Sequence, residues 1–490
     1  MKSVRLAFVL GSLGICACAA GPAPASPASV ALSPAPEAPT PPPPPPAAAQ
    51  APEDPSRATP PETSDGFVAH HDTPATFVLP NGMRVVVIER HGLPLVAARV
   101  IVRISSQKDD ADADLRATLT PSTFLVSPDT VGQVVSSCSV TNCSVFGRGA
   151  PNELGDILDR EATMMRTEPP TAEGQRRMDA ALEIRRGNEG LPFPSAAHAT
   201  AALLFGSTPP FGVAPVAPKP PTLDALERWR RETFVPGAAT LVLVGDVTPA
   251  SAKDAAARAF GKWTGHGRFV HKSAPVEALP SGPRVAYIEN TYYPSDIGAI
   301  AVRGPAWNDP DFAAALVATT MISSKLPEAV PCSDAQDRAL TAWPLPMTPW
   351  QKGSFIRLGG YFAPKTAIGG LRDLLEGVRA AREAGPGDDE LARAKRTAVM
   401  SFHRFDSDVV MLASLASDAI DGEGLDAALS LEEKVQAVTA ADVKRVTQRF
   451  FAEESLRVVI VGKPNDFPDM PTLGLGRDAV VLDAAGRVKK

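Results

Sequence analysis

Apolar residues dominate residues 76–79 and 83–89, and Pro80-Asn81-Gly82 separates the two runs. Two short β-rich runs flanking Asn-Gly predict a β-hairpin, because both turn residues tolerate positive φ. Residues 96–104 form a further β-rich run. Residues 131–146, dense in Val, Ser, Thr and Cys, predict another strand pair. The period then changes. In residues 152–165, Leu154, Ile157, Leu158 and Ala162 share one helical face. Residues 173–186 predict a second helix, with Met178, Ala181 and Leu182 apolar and Gly187 and Gly190 closing it. Residues 205–212 read as a loop, 223–234 as a helix, 240–244 as a buried strand and 252–263 as an amphipathic helix.

The pattern then returns. Thr222, Phe234 and Gly245 enclose a helix and an apolar strand, and Thr439, Phe451 and Gly462 do the same. The Thr-to-Phe spacing is 12 and the Phe-to-Gly spacing 11 in both places. A shared helix-then-strand ending predicts two copies of one α+β unit. Between them, strands are expected around 285–288, 298–302 and 355–362, and helices over 311–321, 371–384, 388–402 and 409–420. The division is residues 1–18 as leader, 19–66 as linker, 67–268 and 275–468 as two lobes, and 469–490 as a tail.

Composition changes the picture mainly at the start. Across 490 residues, 49 basic and 55 acidic side chains leave a net charge of −6, so nothing marks a nucleic-acid partner. Lys2 and Arg5 precede an apolar run, residues 6–15, too short to span a bilayer. Ile15-Cys16-Ala17-Cys18 resembles a bacterial lipoprotein cleavage box, which would make Cys18 the lipidated N-terminus. Ordinary cleavage after Ala19 or Ala20 is the alternative. Ala, Pro and Ser dominate residues 19–64, a composition that stays extended and reads as a spacer. The expectation is an exported protein, periplasmic or anchored in the outer membrane through its N-terminal lipid.

Cys138 and Cys143 lie five apart, and in an oxidising compartment they close a disulfide loop or remain two thiols. A zinc pairing would need a second Cys or His pair, which does not follow. Cys332 has no evident partner. The seven histidines, His70, His71, His91, His198, His266, His271 and His403, contain no His-x-x-x-His or His-x-His pair. Asp109, Asp110, Asp112 and Asp114 lack the spacing of a calcium loop and read as solvated. The basic cluster Arg228, Arg230 and Arg231 is also expected to face solvent. No Gly-x-Ser-x-Gly elbow or phosphate-binding glycine loop is present.

Three stretches carry a resemblance. They are Phe77-x-Leu79-Pro80-Asn81-Gly82-Met83-x-Val85-Val86-Val87, Phe205-Gly206 with Pro210-Phe211-Gly212, and Phe234-x-Pro236-Gly237-x-x-x-Leu241-Val242-Leu243-Val244-Gly245-Asp246. Their order and spacing resemble the insulinase-type metallopeptidases, family M16, over residues 75–465. The resemblance implies an α+β fold of two homologous lobes in a clam shell, each an antiparallel-rich sheet packed with helices. It also implies zinc, held by an inverted His-x-x-Glu-His helix and a later glutamate, with the Glu between the histidines as base.

The chain departs from that pattern where the chemistry would sit. No histidine occurs between His91 and His198. The region expected to hold the motif runs from Asp109 to Pro121, and Pro121 is expected to disturb any helix it does not start. Glu183 falls where the resemblance puts the third ligand, and Arg176 where it puts a companion glutamate. By itself Glu183 reads as a solvated or salt-bridged helix residue. Arg338 and Trp343 lie where an Arg and a Tyr would grip substrate.

The resulting expectation is a pseudopeptidase with no catalytic residue and no cofactor. Its partner would be an M16 subunit bearing His-x-x-Glu-His, with which it shapes a chamber for extended peptides. The rival expectations are an active zinc endopeptidase with displaced ligands, and a stand-alone envelope scaffold.

Overall fold

The computed structural model describes residues 73–104, 112–126, 134–166, 169, 171–188, 190–207, 212–213, 217–265, 278–291, 295–306, 308–324, 344–346, 354–406, 412–413, 425–467, 473–475 and 479–489. The leader with Cys18, the linker, His70, His71, Asp109, Asp110, His266, His271, Cys332, Arg338 and Trp343 lie outside those residues.

Within them the strand pattern becomes two sheets. The first contains β1 (Ala75–Val78), β2 (Arg84–Glu89), β3 (Val96–Arg103), β4 (Val135–Cys138), β5 (Asn142–Gly149) and β6 (Ala239–Gly245), ordered β1-β2-β6-β3-β5-β4. The second contains β7 (Val285–Glu289), β8 (Asp296–Gly304), β9 (Pro344–Pro346), β10 (Ser354–Phe362), β11 (Arg457–Gly462) and β12 (Ala479–Leu482), ordered β12-β7-β11-β8-β10-β9. In each sheet a parallel pair, β2 with β6 or β7 with β11, is followed by three antiparallel pairings. The outer strands differ: β1 joins β2 antiparallel through the Asn-Gly turn, and β12 joins β7 parallel.

The expected tail therefore holds a strand. Leu473, Leu475 and Leu482 are buried, and β12 pairs the edge of β7 that would otherwise be open. Four short apolar residues far from the repeat carry little periodicity, which is why the segment reads as a tail. The first hairpin is pinned from its turn. Gly82 takes φ +91°, and Asn81 Nδ2 donates to Phe260 O at 2.8 Å and to Trp263 O at 3.1 Å.

The helices are α1 (Ala113–Thr123), α2 (Leu154–Arg166), α3 (Thr171–Asn188), α4 (Pro192–Phe205), α5 (Leu223–Thr233) and α6 (Pro249–Phe260), then α7 (Phe312–Ser323), α8 (Ala367–Glu383), α9 (Asp388–Asp406), α10 (Leu425–Leu429), α11 (Leu431–Ala437) and α12 (Ala440–Phe450). Thr222 and Thr439 cap α5 and α12 by accepting from the N–H three residues on, a standard N-cap. α2 and α6 cover one face of the first sheet, where Leu158, Met165 and Phe260 meet Val85, Val100 and Leu241. α7, α8 and α12 cover one face of the second sheet.

The opposite faces are covered by exchange. On the first sheet, Val86, Ile88, Ala97, Ile101, Val242 and Val244 pack against Leu412 and Ala413, joined by Leu425 and Leu429. On the second, Ala286, Ile288, Ile297, Val459 and Val461 receive Ala196, Ala199 and Leu203 of α4. The sequence pattern does not predict α4. Pro192 and Pro194 resemble breakers, but both sit in the first turn, where a missing N–H costs nothing.

Two further expectations are corrected. A helix, α1, does run through Pro121. The proline lies in the last turn, and burial of Leu115 and Leu119 against α3 and α5 outweighs one lost bond. Arg230 is not solvated. It is 2 % exposed, donates to Met165 O at 2.7 Å and lies over the rings of Phe124 and Phe234.

Two of the five buried carboxyls among the described residues, Glu161 and Asp296, interrupt the apolar pattern of the elements that carry them. Glu161 on α2 is fully buried, and neither oxygen has a well-formed hydrogen bond. Burial pushes its carboxyl well above the usual range, against a smaller pull from the Gly147 N–H and Arg99. Asp296 opens β8, whereas Val96 opens β3. Its Oδ2 accepts from the N–H of Lys365, a non-glycine residue held at φ +72°. Burial raises the Asp296 carboxyl to about 6, aided by Asp466 and opposed by the backbone N–H groups of Lys365 and Lys463. The folded value exceeds the unfolded one, so this group costs stability as pH rises from about 4 to about 6. Asp296→Asn keeps an acceptor and cannot ionise. Thermal melts from pH 4 to 8 should lose that pH-dependent decline in the variant. An unchanged profile would assign it to another group.

Candidate functional site

The strand β3 leads toward α1, where the sequence lacks the histidines that the resemblance asks for. α1 turns its apolar side, Leu115 and Leu119, onto Met178 and Ala181 of α3 and onto Leu223 and Leu226 of α5. Its outer side carries Asp114 and Thr118. These residues are four apart and therefore stacked on one face. That is also the spacing of the two histidines in an inverted zinc motif.

A guanidinium spans the two helices here. Arg185 of α3 donates through Nη2 to Asp114 Oδ2 at 2.8 Å and through Nη1 to Thr118 Oγ1 at 2.8 Å. Thr118 Oγ1 in turn donates to Asp114 O at 2.9 Å. The Arg185 side chain is 27 % exposed and the Asp114 side chain 55 %, so the bridge lies at the rim of the helix pair. Arg116, on the next position round, stacks over the Trp229 ring at 5.3 Å.

Glu183 does not join this group. Its side chain is 71 % exposed and pairs with Arg186 on the same helix. Arg176 pairs with Glu173, whose carboxyl is held below its usual value chiefly by Arg177. His198 lies on α4 and donates from Nδ1 to Ala484 O at 3.1 Å. His91 sits between Asp246, at 2.8 Å, and Glu89, at 3.2 Å, and those hydrogen bonds raise its pKa. Cys138 and Cys143 are directly opposed on β4 and β5 and are joined by a disulfide.

The chemistry open to the α1–α3 site follows from its donor set. Asp114 offers one carboxylate, Thr118 a neutral hydroxyl, and Arg185 a permanent positive charge. A zinc site needs three or four N, S or O donors and no cation among them. The residues present do not fit zinc. Among the described residues, no group of three or more His, Cys, Asp and Glu is arranged to hold a metal. Arg185 was not singled out from sequence, since nothing local marks a residue whose partners lie 67 and 71 positions away.

Comparison with known proteins places the architecture. Residues 221–339 match the family model described as the peptidase M16 inactive domain. No curated protein sequence matches the chain. Among solved structures, a protease from Helicobacter pylori superposes with a TM-score of 0.66 at 16 % identity, covering 79 % of this chain and 99 % of that one. The peptidase M16 inactive domain from Pseudomonas fluorescens gives 0.63 at 19 % identity, covering 80 % of this chain and 98 % of that one. The first half of the periplasmic protease PqqL from Escherichia coli gives 0.59 at 13 % identity, covering 80 % of this chain and 92 % of that one.

The site yields one test. Arg185→Met and Asp114→Asn, alone and together, form a double-mutant cycle read by urea unfolding. A half-exposed pair of this kind should show a coupling of about 0.2–1 kcal/mol, favouring the wild-type pair. Strictly additive effects would mean that the helices are held by their apolar faces alone.

Proposed function

We propose that this chain is a non-catalytic member of the M16 peptidase family that works at the cell envelope beside an active one. The observation that carries the reading is the guanidinium of Arg185 between Asp114 and Thr118, on the helix pair where active members hold zinc. A permanent cation held between these side chains repels a divalent metal from the same place. The fold around it is kept, with both sheets intact and a closely packed core in each half. A retained architecture without its chemistry is what a subunit that shapes a peptide chamber for a partner needs.

Location rests on different grounds. The charged start, the short apolar run and Cys18 support export and lipid anchoring, and residues 19–64 supply a spacer. One structurally similar protein, PqqL, is a periplasmic protease. Among the described residues, no helix is long and apolar enough to cross a membrane.

A pulldown of the full-length protein from its native envelope in gentle detergent, followed by mass spectrometry, tests the reading. The expected result is a stoichiometric homologue carrying His-x-x-Glu-His. Recovery without any such homologue would overturn the partner role and favour a stand-alone scaffold.

A further inference from the structure

The two outward sheet faces, and the segments that cover them, raise the question of what holds the halves together. α4 belongs to the first half of the chain by sequence, yet its apolar side, Ala196, Ala199 and Leu203, lies entirely on the second sheet. Its polar ends are held there as well. Arg303 Nη2 donates to Leu204 O at 2.6 Å, and Arg457 Nε donates to Leu203 O at 3.4 Å. These are carbonyls of the last helical turn, which lack partners within the helix and carry its negative dipole end. Arg303 also lies over the Phe205 ring, and Arg357 over the Phe193 ring at 4.8 Å. Asn290 Nδ2 donates to Gly190 O, at the corner between α3 and α4, at 2.7 Å.

The residues after β12 also reach α4. After β12 the backbone turns, with Asp483 N donating to Arg487 O at 2.7 Å and Lys489 N to Val481 O at 2.9 Å. This turn presses on His198. Ala484 O takes its Nδ1 hydrogen bond, and a Cβ added at Gly486 would stand 2.7 Å from His198 O. In exchange, the second half sends Leu412 and Ala413 onto the outer face of the first sheet.

We propose that the outer face of each sheet is a helix-docking surface whose partner is the apolar segment of the other half, so that the halves form a stable non-covalent complex that does not need the peptide link between them. For the second sheet the occupant is α4, and the turn at 483–489 is the strap that seats it. Residues 266–277, at the join between the halves, are then dispensable for holding them together.

The test uses the full chain with a specific protease site inserted between residues 266 and 277, folded first and cut afterwards. The cut protein should elute as one species of unchanged size at micromolar concentration and stay so after dilution. Separation into two pieces, or aggregation on cutting, would overturn the proposal. A second variant localises the hold. Gly486→Val in the same cleavable chain puts a side chain against the His198 backbone. After cutting it should weaken the complex by about tenfold or more, equivalent to about 1.4 kcal/mol. Cut complexes of equal affinity with and without the substitution would refute the strap.

Discussion

Two-sided burial of the central strands is the constraint on which the rest of this structure depends. Every residue of β6 and of β11 is buried. Such strands are apolar on both faces, and each face needs a cover that excludes water. Among the described residues, each half covers one face of its own sheet: α2 and α6 for the first sheet, and α7, α8 and α12 for the second. The remaining faces must borrow. With roughly 1.5–3 kcal/mol for each fully buried Leu, Ile or Val, exposure of Val86, Ile88, Ile101, Val242 and Val244 alone would cost about as much as the whole net stability of a typical domain. The exchanged segments are therefore part of the fold rather than decoration on it.

Given that scaffold, the differences between the halves are informative. In the first half, α1 lies against α3. Here the pair is held by a carboxylate, a hydroxyl and a guanidinium. Such an arrangement ties two helices at modest cost and puts a permanent cation between the two side chains. In the second half, Asp296 occupies the strand start that is valine in the first. That carboxylate holds the turn at Lys365, and its burial gives this half a titration near pH 6.

Local chemistry made much of this legible in the sequence. The Asn-Gly hairpin, the buried strands and the paired Thr-capped helices each have a signal within a dozen residues. The missing histidines are equally plain. What the sequence did not reveal are contacts whose partners are distant. α4 has two prolines at its start and an apolar side made mostly of alanine, and its purpose is visible only when the second sheet lies under it. β12 is four residues whose pairing depends on the open edge of β7. Arg230 reads as one of three solvated arginines until Phe124, Phe234 and the Met165 carbonyl enclose it. Arg185 and Asp114 meet only because α1 and α3 cross. The disulfide between Cys138 and Cys143 is an intermediate case, since both of its alternatives were open until the β4–β5 register set the two residues opposite each other.

The proposed function puts an ion pair, in place of a metal, on the α1–α3 helix pair. Its most direct test is the zinc content of the purified full-length protein after equilibration with zinc and removal of the free ion, measured by elemental mass spectrometry. The account predicts zinc far below one ion per chain, unchanged by Arg185→Met. One tightly held zinc per chain would contradict it and would mean that ligands outside α1 and α3 have assembled a metal site.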